Sequence, residues 1–372
     1  MTQCSAVQGL RKFGEAGQEA VCSEMQQLHE MGVAEPNKGD VLARKEKSRA
    51  LNHLMFLKQK RCGRIKGRGC ACGRKQRLCK NKQETSAPTV AVESLLLSCD
   101  IDAKEKRAFV TTDIPGAFMQ TDVDEVTRLR LEGPLASLLA KVDPHLCNRC
   151  LERDKKGKPA MHVKPKKASC GTLQAAMLFW KDLSANLVKW GHEVNPRDWC
   201  VASEMVNGKQ CDVPWHVDDL KTSHVDPEAV ESLSDFLNGE HGEINPLVTA
   251  QGKTRECLGM TLDFSVEGKV QAIMKDCLKE MIDELPEDMA GEAATPAALH
   301  LLQVSDKAEK LDKEKAELFH HLTAKLLFVS RRARPDTWTP VAFLTRRAKA
   351  PDADNHKKLR RTMQHLRAST WC

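Results

Sequence analysis

The 372-residue chain has no tyrosine, and its sixteen phenylalanines and tryptophans make up only 4% of it. Cysteine and histidine codons each lie one base transition from tyrosine codons. Replacement of tyrosines therefore accounts at once for that gap and for the fifteen cysteines and thirteen histidines. No apolar run is long enough to cross a bilayer, and the opening residues, MTQCSAVQGLRKFGEAGQ, are too polar for a secretory signal. An intracellular protein with reduced thiols is expected, because an odd number of cysteines in a large unexported chain does not read as a disulfide framework.

Acids are missing from one long stretch. Between Lys58 and Lys82 stand eleven Lys or Arg and no Asp or Glu, in a chain whose net charge is only +7. SRRARPDTW and KKLRRTMQHLRAST repeat the basic character near the other end. Basic segments interleaved with glycine suit phosphate-rich partners, the bland alternative being a solvated charge run. With 41% apolar and 29% charged residues the rest is ordinary globular composition, long enough for two or three subdomains.

Apolar spacing at Phe13, Val21, Met25, Leu28 and Met31 predicts an amphipathic helix over 8–32. The glycine-punctuated basic segment reads as a hairpin, and a helix resumes after Pro88 through Val92, Leu95 and Leu96. Ala108 to Thr112 form a short strand ending at Asp113, with Pro115 placed for the first turn of a helix. Leu173, Met177, Trp180 and Leu187 mark a helical core face, Asn207-Gly208 is a strong hairpin signal, and a second hairpin turns at Glu267-Gly268. LPEDMAGEAATP reads as a linker to helices over 307–330 and 354–366. The order is that of an α+β fold around an antiparallel sheet.

The stretch WHVDDLK sets Asp218 and Asp219 side by side in an otherwise strand-like segment. A surface turn explains such a pair as well as a metal site does. If this hairpin neighbours the strand ending at Asp113, three carboxylates converge on one sheet edge, the arrangement that holds two divalent ions for phosphoryl transfer.

Seven segments in order give the chain a family resemblance: KGRGCACGRKQ, ETSAPTV, VTTDIPGAFMQTDVDE, ASCGTLQAAMLFW, WHVDDLK, CLGMTLDFS and ARPDTWTPVAFL. Together they resemble the reverse transcriptase of copia-type retrotransposons, over about residues 10 to 370. The resemblance implies a right-hand polymerase fold: N-terminal fingers over 1–95, an antiparallel palm over 96–275 with a fingers insertion at about 130–165, and a helical thumb with the start of a connection over 276–372. It implies RNA-directed DNA synthesis with two Mg²⁺ ions, replaceable by Mn²⁺, on Asp113, Asp218 and Asp219. Partners are a primed RNA or DNA template and deoxynucleoside triphosphates; the location is the cytoplasm, in a virus-like particle, or the nucleus. Lys66 and Arg68 match residues that neutralise the triphosphate, Phe118 matches an aromatic gate against the ribose 2′-hydroxyl, and Gly171 and Gln174 match a motif lying against nucleotide and template.

Departures from the family pattern are specific. His216 replaces the tyrosine before V-D-D, GTLQAA lacks an expected Lys and Pro, Cys70 and Cys72 interrupt the fingers consensus, and Pro214 sits in the strand leading to the aspartates. A catalytically inactive remnant that binds nucleic acid is the competing reading. Zinc held by Cys62, Cys70, Cys72 and Cys79, or by Cys147 and Cys150 beside His145, fits no standard paired knuckle spacing. No ribonuclease H, integrase or protease segment is expected.

Overall fold

The structure is a computed structural model that describes residues 4–38, 41–59, 63–78, 85–123, 127–305 and 307–369. Cys62 and Cys79, with parts of the basic stretch, lie outside the described residues. The fold is mixed α and β and divides into two compact units, 1–90 with 112–249 and 91–111 with 250–372.

The first unit begins with a helix, Ala6–Glu30, bent at Gly14. Its buried Val21 and Met25 meet the strand Leu51–Gln59, where Leu51, Met55 and Leu57 alternate inward as a half-buried strand requires. That strand forms the expected hairpin with Ile65–Ala71, in register from His53 opposite Ala71 to Gln59 opposite Ile65. Gly67 explains the glycine content: a Cβ there would lie 2.6 Å from the Ala20 carbonyl oxygen, so only glycine lets the hairpin lie against the helix. The sheet continues through Leu129–Glu132, parallel to Leu51–Gln59, and Pro159–Pro165, antiparallel to it and to Ala34–Asn37.

A second, six-stranded sheet has the order Val248–Ala250, Ala108–Asp113, Asp219–His224, Lys209–His216, Val201–Val206, Glu193–Val194. Three of its pairings are antiparallel hairpin-type ladders, including the one turning at Asn207-Gly208, whose φ values of 52° and 74° are those of a type I′ turn. Helices Ala175–Trp190 and Pro227–His241 support it through Phe179, Leu183 and Leu187 on one and Val230, Leu233 and Leu237 on the other. This corrects the expected face: of Leu173, Met177, Trp180 and Leu187 only Leu187 is buried. The run Ala-Ala-Met-Leu-Phe-Trp is apolar all round, so its period does not define a side.

After Asp113 the chain makes a 3₁₀ turn, Ala117–Gln120, in place of the expected α-helix, because Gly116 adopts φ 66° and breaks the helical path.

In the second unit, helices Lys313–Ser330, Trp338–Thr345 and Ala353–Ala368 pack together through Phe319, Leu322, Leu326, Val341, Leu344, Leu359 and Met363. Asp312 and Asp352 cap two of them, accepting from the N–H of Lys315 and Asn355 at 2.8 Å. A three-stranded sheet holds the expected turn at Glu267-Gly268 and a tighter one at Leu258-Gly259. The segment read as a linker is fastened instead: Met289 is fully buried, and Arg361, Thr362 and Gln364 of the last helix donate to Thr295, Pro296 and Ala290. Among the described residues no helix is long and apolar enough to cross a membrane.

Candidate active site

The strand Lys209–His216 turns back into Asp219–His224 through only two residues, Val217 and Asp218, with His216 paired to Asp219. Val217 has φ 59°, and Asp218 is not among the residues of positive φ. That is the type II′ pattern, whose first central position is normally glycine. A β-branched residue there is an outlier that costs on the order of 1–3 kcal/mol and persists only because its surroundings hold it. Approaching the turn, the ladder pairs Asp212 with Ser223 and then Trp215 with Leu220, skipping two residues where Pro214 has no N–H to donate.

Asp113 ends the neighbouring strand, and the next residue, Ile114, donates its N–H to the Asp218 carbonyl at 3.0 Å. The hydrogen bond pins the strand end to the turn. The three carboxylates are electrically coupled: the Asp219 carboxyl is pushed up, first by desolvation and then by the charges of Asp218 and Asp113, while His216 opposes the shift. Asp113 and Asp219 still reach solvent, and Asp218 is half-buried.

Among the described residues no three His, Cys, Asp or Glu side chains form a group that could hold a metal ion as they stand. The chemistry of the aspartates nevertheless suits a hard divalent cation: every donor is an oxygen, and a cation would relieve the repulsion that raises Asp219.

Lys66 and Arg68 project from the exposed face of the hairpin strand Ile65–Ala71. Behind them Glu24, its carboxyl raised by burial, accepts from the Gly69 N–H at 2.8 Å. Gly171 (φ 86°) lies against this strand so closely that a Cβ would fall 2.2 Å from the Ala71 carbonyl oxygen. Ala71 also donates to the Cys170 carbonyl at 2.7 Å. Burial raises the Cys170 thiol; of the neighbouring charges Arg68 opposes the shift, while Glu24 and Asp218 add to it.

The Phe118 ring packs edge-on to Phe179, centroids 6.4 Å apart, in a stack that continues to His241. Gln174 stands at the N-cap of Ala175–Trp190 without capping it through its side chain.

Two positioning residues escaped the sequence reading. Gln76, the last letter of KGRGCACGRKQ, accepts from the Leu173 N–H at 3.1 Å and so joins the hairpin to the Gly171 segment. Its place in that motif was the available signal. Gln120 donates to the carbonyls of Pro115 and His241 and meets His241 Nδ1 at 2.6 Å, holding the loop after Asp113. Nothing local in the sequence marks it.

No protein-family model matches the chain, and no curated protein matches it. Among solved structures it is similar to apo telomerase from Candida tropicalis, at 10% identity and TM-score 0.40, over 90% of this chain and 62% of that one. It is also similar to Candida albicans telomerase in complex with a fragment of telomeric RNA, at 8% identity and TM-score 0.39, over 89% and 60%. The chain thus spans about three fifths of the length of those telomerase chains.

Proposed function

We propose that the chain is an RNA-directed DNA polymerase of the copia retrotransposon type, with fingers, palm and thumb, acting on a primed template and deoxynucleoside triphosphates. What carries the reading is the turn Val217-Asp218, a strained hairpin that sets Asp218 and Asp219 beside Asp113.

Asp113, Asp218 and Asp219 would hold two magnesium ions, which when bound activate a primer 3′-hydroxyl and offset the charge of a departing pyrophosphate. The rigid turn fixes where the carboxylates stand, so little reorganisation falls to the chemical step. Lys66 and Arg68 supply positive charge for the triphosphate. Gly171 keeps side-chain bulk out of the space beside the hairpin, with Gln76 holding the adjacent Leu173 N–H and Gln174 turned to nucleotide and template. Phe118 excludes a 2′-hydroxyl once its ring leaves the Phe179 stack; Phe118→Val then raises ribonucleotide incorporation.

The lack of a ready metal group among the described residues favours one second reading, a nucleic-acid-binding remnant. Primer extension on an RNA template with Mg²⁺ separates the two. Asp218→Asn should abolish extension and leave salt-sensitive primer-template binding unchanged; a parallel loss of both would remove the catalytic assignment.

A further inference from the structure

Cys70, one of the cysteines that interrupt the family pattern, and Cys170 flank one backbone hydrogen bond beside the candidate site. Cys70 alternates with Lys66 and Arg68 on one face of Ile65–Ala71, and Cys170 immediately precedes Gly171. The hydrogen bond from Ala71 N to Cys170 O, 2.7 Å long, lies between them. Each Cα is two covalent bonds from an atom of that hydrogen bond, so standard bond lengths and trigonal carbonyl angles hold the two Cα atoms within about 7.5 Å. The real path bends and is shorter. Disulfides span Cα separations of about 4.4–6.8 Å.

Nothing can stand between the two backbones, since Gly171 already touches Ala71. Both cysteines are free thiols and half-buried. Burial and then the Cys170 sulfur push the Cys70 thiol up to about 11. Cys72 is less well placed, its N–H being committed to the Asn52 carbonyl at 2.8 Å on the opposite strand.

We propose that Cys70 and Cys170 form a reversible disulfide that ties the glycine-rich hairpin to the Gly171 segment. Glutathione disulfide is the oxidant. One protein sulfur attacks it and releases one glutathione; the second protein sulfur then attacks the mixed disulfide and releases another. Two protein S–H bonds are lost and one S–S bond is gained, and the two protons and two electrons end on two glutathiones. On the polymerase reading, and only there, the crosslink also denies the hairpin any movement away from the Gly171 segment.

The test uses the full chain, incubated with glutathione disulfide, digested with trypsin without reduction and read by mass spectrometry. The expected product joins residues 69–74 to residues 168–181, disappears with dithiothreitol, persists in Cys72→Ser and is absent from Cys170→Ser. Cys170 found only as a mixed disulfide with glutathione, or joined to Cys72, overturns the proposal. Fragmentation of the linked wild-type peptides assigns the bond to Cys70 or Cys72, so the mapping needs no variant to fold. Primer extension is the separate readout: oxidation should lower it at least tenfold and dithiothreitol restore it. A reduced wild type that never extends refutes the polymerase reading and leaves the crosslink to be judged by its peptide.

Discussion

The strand Lys209–His216 ends in two turns of two residues each, and they obey opposite rules. At one end Asn207 and Gly208 take φ 52° and 74° with residue types made for them. At the other, Val217 takes φ 59° with a residue type that resists it. The first turn carries no chemistry and is relaxed. The second presents carboxylates and is strained, with like charges crowded at its tip. Strain concentrated at one of two otherwise equivalent positions marks the end of the sheet where geometry matters more than stability.

Exchanging the turns' character is the sharpest way to break this contrast. Gly208→Val should cost about 2 kcal/mol, measured by denaturant unfolding, because it imposes on the relaxed turn the strain the other already bears. Val217→Gly should do the reverse and gain about 1 kcal/mol, the relieved strain less the added chain entropy of glycine; a loss of stability would show that Val217 is not strained.

Charge sharpens the comparison further. The Asp219 carboxyl is raised in the folded state, so the fold favours its protonated form, and that contribution disappears as pH rises through the folded value. At pH 7 the charge is a burden. Asp219→Asn should therefore raise the melting temperature by about 2 °C at pH 7 and lose that gain below the ordinary carboxylate range. Smallest is Asn207→Ala, with a loss of about 0.5 kcal/mol, since asparagine tolerates the left-handed region better than alanine.

Both turns were legible in the sequence, one through Asn-Gly and the other through the paired aspartates of WHVDDLK. The strain was not, because Asn-Gly announces positive φ, whereas Val217 does not. The helix Ala6–Glu30 and the strand ending at Asp113 were readable because their apolar periods are clean. The helix Trp338–Thr345 was hidden by Pro335 and Pro340, which read as breakers but sit in the 3₁₀ turn before it and in its first turn. The burial of Met289 depends on a helix some seventy residues further on, which no local pattern records. Gln76 and Gln120 act through hydrogen bonds to distant backbone, and side-chain amides carry no periodic signal of such partners.

Strand Ala34–Asn37 pairs with Pro159–Pro165, and Leu51–Gln59 pairs on one side with Leu129–Glu132. A ribosome therefore releases the first segments long before their partners exist. At roughly 5–20 residues per second, Ala34–Asn37 waits roughly 6–26 s for its neighbour. Through that interval the helix Ala6–Glu30 has the glycine-rich hairpin beside it but not yet the helix Pro134–Val142 that also packs on it. Of the described segments, the earlier ones in the chain are thus obliged to be among the later to finish folding.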